Sequence, residues 1–134
     1  KSTVLDELDI MIVDDGSGDH TTAIAQEYQE LYPDTFRLIK KKNGGWGSTV
    51  NSGIKEARGV YFKQLDGDDY YEPNAISTLL NAYYKTNADL VIGEFTNVDE
   101  KTGERDRRSI FDKSFVITEN ATKKMTKAAF LTRA

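Results

Sequence analysis

The stretch Ile10-Met11-Ile12-Val13-Asp14-Asp15-Gly16-Ser17 decides the fold class. Asp9–Val13, with its four-residue apolar run Ile10–Val13, suits a short strand buried on both faces. The switch to Asp14-Asp15-Gly16-Ser17-Gly18-Asp19 marks a turn. A helix follows, with Ile24, Tyr28 and Leu31 at spacings of four and three, Asp19 or Thr21 as its cap and Pro33 as its stop.

The alternation repeats outward from this unit. Phe36–Lys40 reads as a strand and Asn43-Gly44-Gly45-Trp46-Gly47 as a glycine-rich loop. Ser48 can cap a helix carrying Val50, Ile54 and Ala57, with Gly59 at its C′ position. Val60–Leu65 reads as a third strand, leading into Asp66-Gly67-Asp68-Asp69. Pro73 opens a helix with Ile76, Leu79, Leu80 and Tyr83 on one face, and Asn87 ends it. Ala88–Ile92 is a further strand. Phe95–Asp99 and Arg105–Ile110 can pair antiparallel around a turn at Glu100–Gly103. Thr118 or Asn120 can cap a last helix containing Met125, Ala129 and Phe130. Strand–helix alternation through residue 92 predicts an α/β fold: a mostly parallel sheet with helices on both faces.

Composition narrows the function. Lys and Arg total 18 against 22 Asp and Glu, a net charge of −4, which argues against a broad basic surface for nucleic acid. The absence of cysteine excludes disulfides, thiolate zinc sites and cysteine nucleophiles. No apolar run spans a bilayer and no segment reads as a signal peptide, so a soluble, cytoplasmic domain is expected. The 134 residues amount to one domain.

Three polar clusters each follow a predicted strand, and in a parallel sheet all three lie at the carboxyl edge, where open α/β sheets bind ligands. Asp66, Asp68 and Asp69 place three carboxylates within four residues. Without a cation they repel one another, whereas Mg²⁺ or Mn²⁺ takes oxygen ligands and bridges to phosphates. The plain alternative is a solvated acidic turn. Asp14 and Asp15 can accept hydrogen bonds from a nucleobase or a ribose hydroxyl, or simply begin a helix. A calcium loop at Asp15 fails, because its sixth position is His20 and its twelfth Gln26. The glycine loop lacks the Lys-Ser/Thr ending of a P-loop, but its glycines let backbone approach a ligand closely. Trp46 is a stacking platform or a surface anchor, and His20 and Arg105–Arg108 read as solvated.

Taken together, Ile12-Val13-Asp14-Asp15-Gly16-Ser17, then Asn43-Gly44-Gly45 with Asn51-Ser52-Gly53-Ile54, then Gly59-Val60-Tyr61 with Leu65-Asp66-Gly67-Asp68-Asp69, resemble the family 2 glycosyltransferases over residues 9 to 90. The resemblance implies a GT-A fold with a D-x-D metal site. It implies nucleotide contacts from Asp14, Asp15, Asn43, Gly44, Gly45, Asn51 and Asp66. Asp68, with Asp66, would hold Mg²⁺ or Mn²⁺ on the diphosphate. Trp46 and Asp69 are the candidates for the acceptor side. The implied reaction moves a sugar from a nucleotide donor, a UDP-sugar, to a carbohydrate or lipid-linked acceptor with inversion. Peripheral association with a membrane is compatible with it.

Two departures from the family pattern stand out. Val50 occupies a place where many members have Arg. The family's first strand has no counterpart before Asp9, and its usual base lies beyond this stretch, with Glu94 and Glu119 as weak substitutes. The expectation is an internal piece of a longer enzyme, a single GT-A domain truncated at both ends. The competing readings are a non-catalytic nucleotide-binding fragment and a receiver-like signalling module phosphorylated at Asp66. A haloacid-dehalogenase-like phosphatase fits worse, since no Thr stands two residues after Asp68.

Overall fold

The computed structural model describes residues 4–86, 88–91 and 93–108. It divides into two compact units, Lys1–Pro73 and Asn74–Ala134. In the first, a 3-10 turn at Val4–Glu7 precedes β1 (Ile10–Asp14), α1 (Thr21–Leu31), β2 (Phe36–Lys40) and α2 (Trp46–Glu56). The strands pair in parallel, Ile10 opposite Phe36 through Asp14 opposite Lys40, with α1 as the crossover. This is the strand–helix–strand unit expected from the apolar run at residue 10.

Particular side chains hold the unit together. The Phe36 ring lies 5.4 Å from that of Tyr28 and 6.0 Å from that of Tyr32, packing the end of α1 on β2. The Leu38 N–H, on the outer edge of β2, donates to Gln29 Oε1 at 2.6 Å, so a side chain takes the place of a further strand there. Arg37 donates through Nε and Nη2 to the two oxygens of Asp9, both at 2.7 Å, and through Nη2 to the Glu56 carbonyl at 2.9 Å. One guanidinium therefore joins the start of β1, the middle of β2 and the end of α2. The Arg37 hydrogen bonds hold the Asp9 carboxyl below its ordinary range.

Several sequence expectations shift. Residues 60–65 form no strand, and Val60 is 93% exposed. A strand exists only through a ladder with a neighbour, and among the described residues β1 is paired with β2 alone. The Phe62 ring instead lies over α2: a Cβ on Gly53 would be 3.7 Å from it and 3.9 Å from Val13. The stripe of α1 is exposed at Ile24, Tyr28 and Leu31, and only Ala25 of that helix is buried. An apolar groove there is lined by Ile12, Thr21, Ile24, Ala25, Tyr28 and Phe36. The second helix starts at Trp46 with Gly45, at φ 79°, as its N-cap, so Ser48 lies inside it. Its C-cap is Ala57, two residues before Gly59.

In the second unit, α3 (Ala75–Thr86) starts after Asn74, whose φ of 66° is the left-handed conformation that Asn tolerates. Ile76, Leu79, Leu80 and Tyr83 form its half-buried face. Residues 88–91 are not a strand. The hairpin is present as β3 (Phe95–Val98) paired antiparallel with β4 (Arg105–Arg108). Asp99 Oδ1 accepts the Lys101 and Thr102 N–H groups, and Gly103 takes φ 72°. Arg107 pairs with Glu94. The helix expected after residue 118, with Glu119, lies outside the described residues. Among those residues no helix is long and apolar enough to cross a membrane.

Candidate functional site

The parallel register decides which loops meet. Asp14 stands opposite Lys40, and the Lys41 N–H continues the ladder to the Asp14 carbonyl at 2.9 Å. The segments that leave β1 and β2 therefore run on side by side. Gly16 has φ 85°, and a Cβ there would lie 3.2 Å from the Asn43 nitrogen, so the two loops touch through their backbones. Only glycine meets both the conformation and the space.

Asp15 ties these loops together. Its Oδ1 accepts the Gly44 N–H at 3.0 Å and the Lys41 ammonium, and its Oδ2 accepts the Gly45 N–H at 2.8 Å. The Lys41 bond is the main reason its carboxyl sits below the ordinary range. Asp14 faces the other way. It is 5% exposed; Oδ2 accepts the Thr22 hydroxyl and Oδ1 the Ser17 N–H at 2.8 Å. The Thr22 bond, then the Ser17 bond, lowers its carboxyl to about 2. In this arrangement both oxygens of Asp14 serve the turn into α1. Asp19 Oδ1 accepts the Thr21 N–H at 2.9 Å, but the N-cap of α1 is His20, with no side-chain capping bond, and not the Asp19 or Thr21 that the sequence predicts.

The acidic turn closes through the Asp69 N–H, 3.0 Å from the Asp66 carbonyl. Lys63 lies 5.9 Å from the centre of the Tyr71 ring, linking the segments on either side. The turn joins the glycine loop through Asp66: its Oδ1 accepts the Trp46 indole N–H at 3.2 Å and the Gln64 amide at 2.6 Å. Asp66, Asp68 and Asp69 are exposed, as are Asn43, Gly44, Gly45 and Asn51. Trp46 is 66% exposed. The structure thus brings Asp15, the glycine loop, Trp46 and Asp66 into one connected set.

Among the described residues no three His, Cys, Asp or Glu side chains gather around one metal position. The donor chemistry of the turn still fits a hard divalent cation. Mg²⁺ is commonly held by one or two carboxylates, with substrate phosphates and water completing the shell. Asp66 and Asp68, which the sequence offers for that role, are both exposed, and Asp66 Oδ1 already accepts from Trp46 and Gln64.

Lys41, Thr22 and Gln64 were not singled out by the sequence motifs. Lys41 had a readable signal: extending the Asp14–Lys40 register by one residue puts it beside Asp15. Thr22 and Gln64 had none beyond their proximity to an Asp.

The model of glycosyl transferase family 2 matches residues 3–132. An uncharacterized glycosyltransferase of Mycoplasma pneumoniae is 38% identical over 98 residues, covering 71% of this chain and 32% of its own length. Chondroitin synthase of Escherichia coli is 42% identical over 79 residues, 59% of this chain and 11% of that protein. The minor teichoic acid biosynthesis protein GgaB of Bacillus subtilis is 30% identical over 114 residues, 84% of this chain and 13% of that protein. The chain thus spans a third or less of the length of these curated relatives. No solved structure gives a significant match. With three sequence blocks in family order, and a family match over nearly its whole length, the chain belongs to glycosyl transferase family 2.

Proposed function

We propose that the chain is the donor-binding part of a glycosyltransferase of GT-A fold, which moves a sugar from a nucleoside diphosphate, UDP, to an acceptor hydroxyl. The observation that carries this reading is the Asp15–Gly44–Gly45 and Trp46–Asp66 linkage, which joins three family blocks in one surface at the end of β1 and β2. Such a surface, with exposed backbone at a glycine loop beside exposed carboxylates, suits a ligand with a polar nucleoside and a charged diphosphate.

In this reading Asp15 and Asp66 present carboxylate oxygens to nucleobase and ribose donors. Asp14 holds the β1 turn in place behind them. Asn43, Gly44, Gly45 and Asn51 line the approach to the phosphates. Val50 offers no cation there, so charge compensation for the diphosphate would come largely from a divalent cation at the acidic turn. Asp68 and Asp66 would hold a divalent cation, whose charge would neutralise that of the departing diphosphate. Trp46 and Asp69 are the residues this reading offers to the acceptor. Direct displacement at the anomeric carbon with inversion needs a carboxylate base for the acceptor proton. Glu94, the described candidate, is engaged by Arg107.

The names of the chondroitin and teichoic acid relatives favour synthesis of a carbohydrate polymer, which fits a carbohydrate or lipid-linked acceptor. The test is release of UDP from a panel of UDP-sugars by the intact protein with Mn²⁺. Release is expected for at least one donor and should drop at least tenfold in Asp68→Asn, since one ligand charge is lost. Release from none of them, or undiminished release in Asp68→Asn, refutes the proposal.

A further inference from the structure

We propose that Trp46 is a positioning residue: its indole N–H orients the Asp66 carboxylate across the junction of the glycine loop and the acidic turn. What Asp66 then does rests on the nucleotide-sugar reading above; the contact itself does not. Trp46 is 66% exposed, so apolar burial does not account for where the ring sits. Yet its Nε1–H donates to Asp66 Oδ1 at 3.2 Å, across 20 residues of sequence. Gln64 Nε2 donates to the same oxygen at 2.6 Å. The indole nitrogen is a donor only, so a carboxylate is its natural partner. Two donors on one oxygen fix the rotation of the rigid carboxylate, and with it the direction of Oδ2. Trp46 opens α2, directly after Gly45, whose own N–H is held by Asp15. The indole therefore carries the placement of the glycine loop over to the acidic turn. The role differs from ring stacking on a base or sugar, which uses the face of the indole and not its N–H.

The two roles separate by substitution. Trp46→Phe keeps an aromatic face and removes the donor, whereas Trp46→Ala removes both. UDP affinity of the intact protein is measured by calorimetry with Mn²⁺. Positioning is supported if Trp46→Phe and Trp46→Ala both weaken binding about tenfold, the scale of one hydrogen bond to a carboxylate. Gln64→Leu should weaken it in the same direction. Wild-type affinity in Trp46→Phe overturns the proposal, whether Trp46→Ala then loses affinity (stacking) or keeps it (a surface anchor). A second readout needs no nucleotide. The Trp46 indole ¹H–¹⁵N resonance, assigned by its loss in Trp46→Phe, should move upfield and exchange faster with water in Asp66→Ala. An unmoved resonance overturns the proposal. If wild type binds no UDP, the nucleotide reading fails, and the resonance still decides the contact.

Discussion

Three glycines of the second sequence block face different surroundings, and substituting each by alanine should give different outcomes. A Cβ on Gly44 would lie 2.7 Å from Ser48 Oγ, 3.0 Å from Ser48 Cβ and 3.1 Å from Lys41 Nζ. The hydroxyl can rotate, but Ser48 Cβ is fixed by α2 and Lys41 is held by Asp15. The loop must shift, at a cost of about 1–3 kcal/mol for overpacking. On Gly53, inside α2, a Cβ would meet Phe62 at 3.7 Å and Val13 at 3.9 Å, ordinary contact distances. Alanine there removes the backbone freedom of glycine from a helix interior, a gain of about 0.5–1 kcal/mol. Gly47, also in α2, has nothing within 4 Å and serves as the open control. Gly44→Ala and Gly53→Ala should thus differ by about 1.5–4 kcal/mol, which separates urea midpoints by roughly 1 M at the m-values of small domains. Only Gly44→Ala should also weaken UDP binding, because it moves the loop from Asp15. Equal midpoints, or a Gly53→Ala protein less stable than Gly44→Ala, would refute the packing described around these loops.

Acid should act through Asp14. Its folded pKa of about 2 lies below the unfolded value of about 3.9. Its contribution to stability is therefore complete above the unfolded value and is lost as pH falls from about 4 through about 2. Urea midpoints of wild type and Asp14→Asn should differ at neutral pH and converge toward pH 2; parallel profiles count against the Thr22 and Ser17 contacts. Arg37→Met removes the paired bonds to Asp9 and the bond to the Glu56 carbonyl, with the two side chains only 19% and 24% exposed. The expected loss is about 1–3 kcal/mol, above that of an exposed pair. A change under about 0.3 kcal/mol would place it among ordinary surface bridges.

What was legible in the sequence was local. The four-residue apolar run, the acidic turn after it and Pro33 sufficed to place β1, α1 and β2, because each signal acts within a few residues. The hairpin followed from turn chemistry at Glu100–Gly103, which Asp99 and Gly103 satisfy on their own. The Val60–Leu65 segment misled, because β-branched and aromatic residues such as Val60, Tyr61 and Phe62 say that a segment can be a strand, not that a neighbour will pair with it. The candidate site was legible as three polar clusters, though the third follows no strand, since residues 60–65 form none, and joins the others through the Trp46–Asp66 contact. Its internal wiring was not: Asp14 turning inward to Thr22, and Asp15 reaching Lys41, depend on register and side-chain direction. The family blocks carried the assignment of the chain where pairing rules could not.

The most direct measurement of the central claim is calorimetry of UDP binding to the intact protein, with and without Mn²⁺, for wild type, Asp68→Asn and Asp69→Asn. UDP brings two to three negative charges to a carboxylate turn in a chain of net charge −4. Without a cation the turn should repel it; a divalent ion held at Asp68, as proposed, would reverse the sign of that field. The expected result is UDP affinity that rises with Mn²⁺ in wild type, loses most of that rise in Asp68→Asn and keeps more of it in Asp69→Asn. Metal-independent binding in wild type, or an equal Mn²⁺ response in Asp68→Asn, would contradict the account.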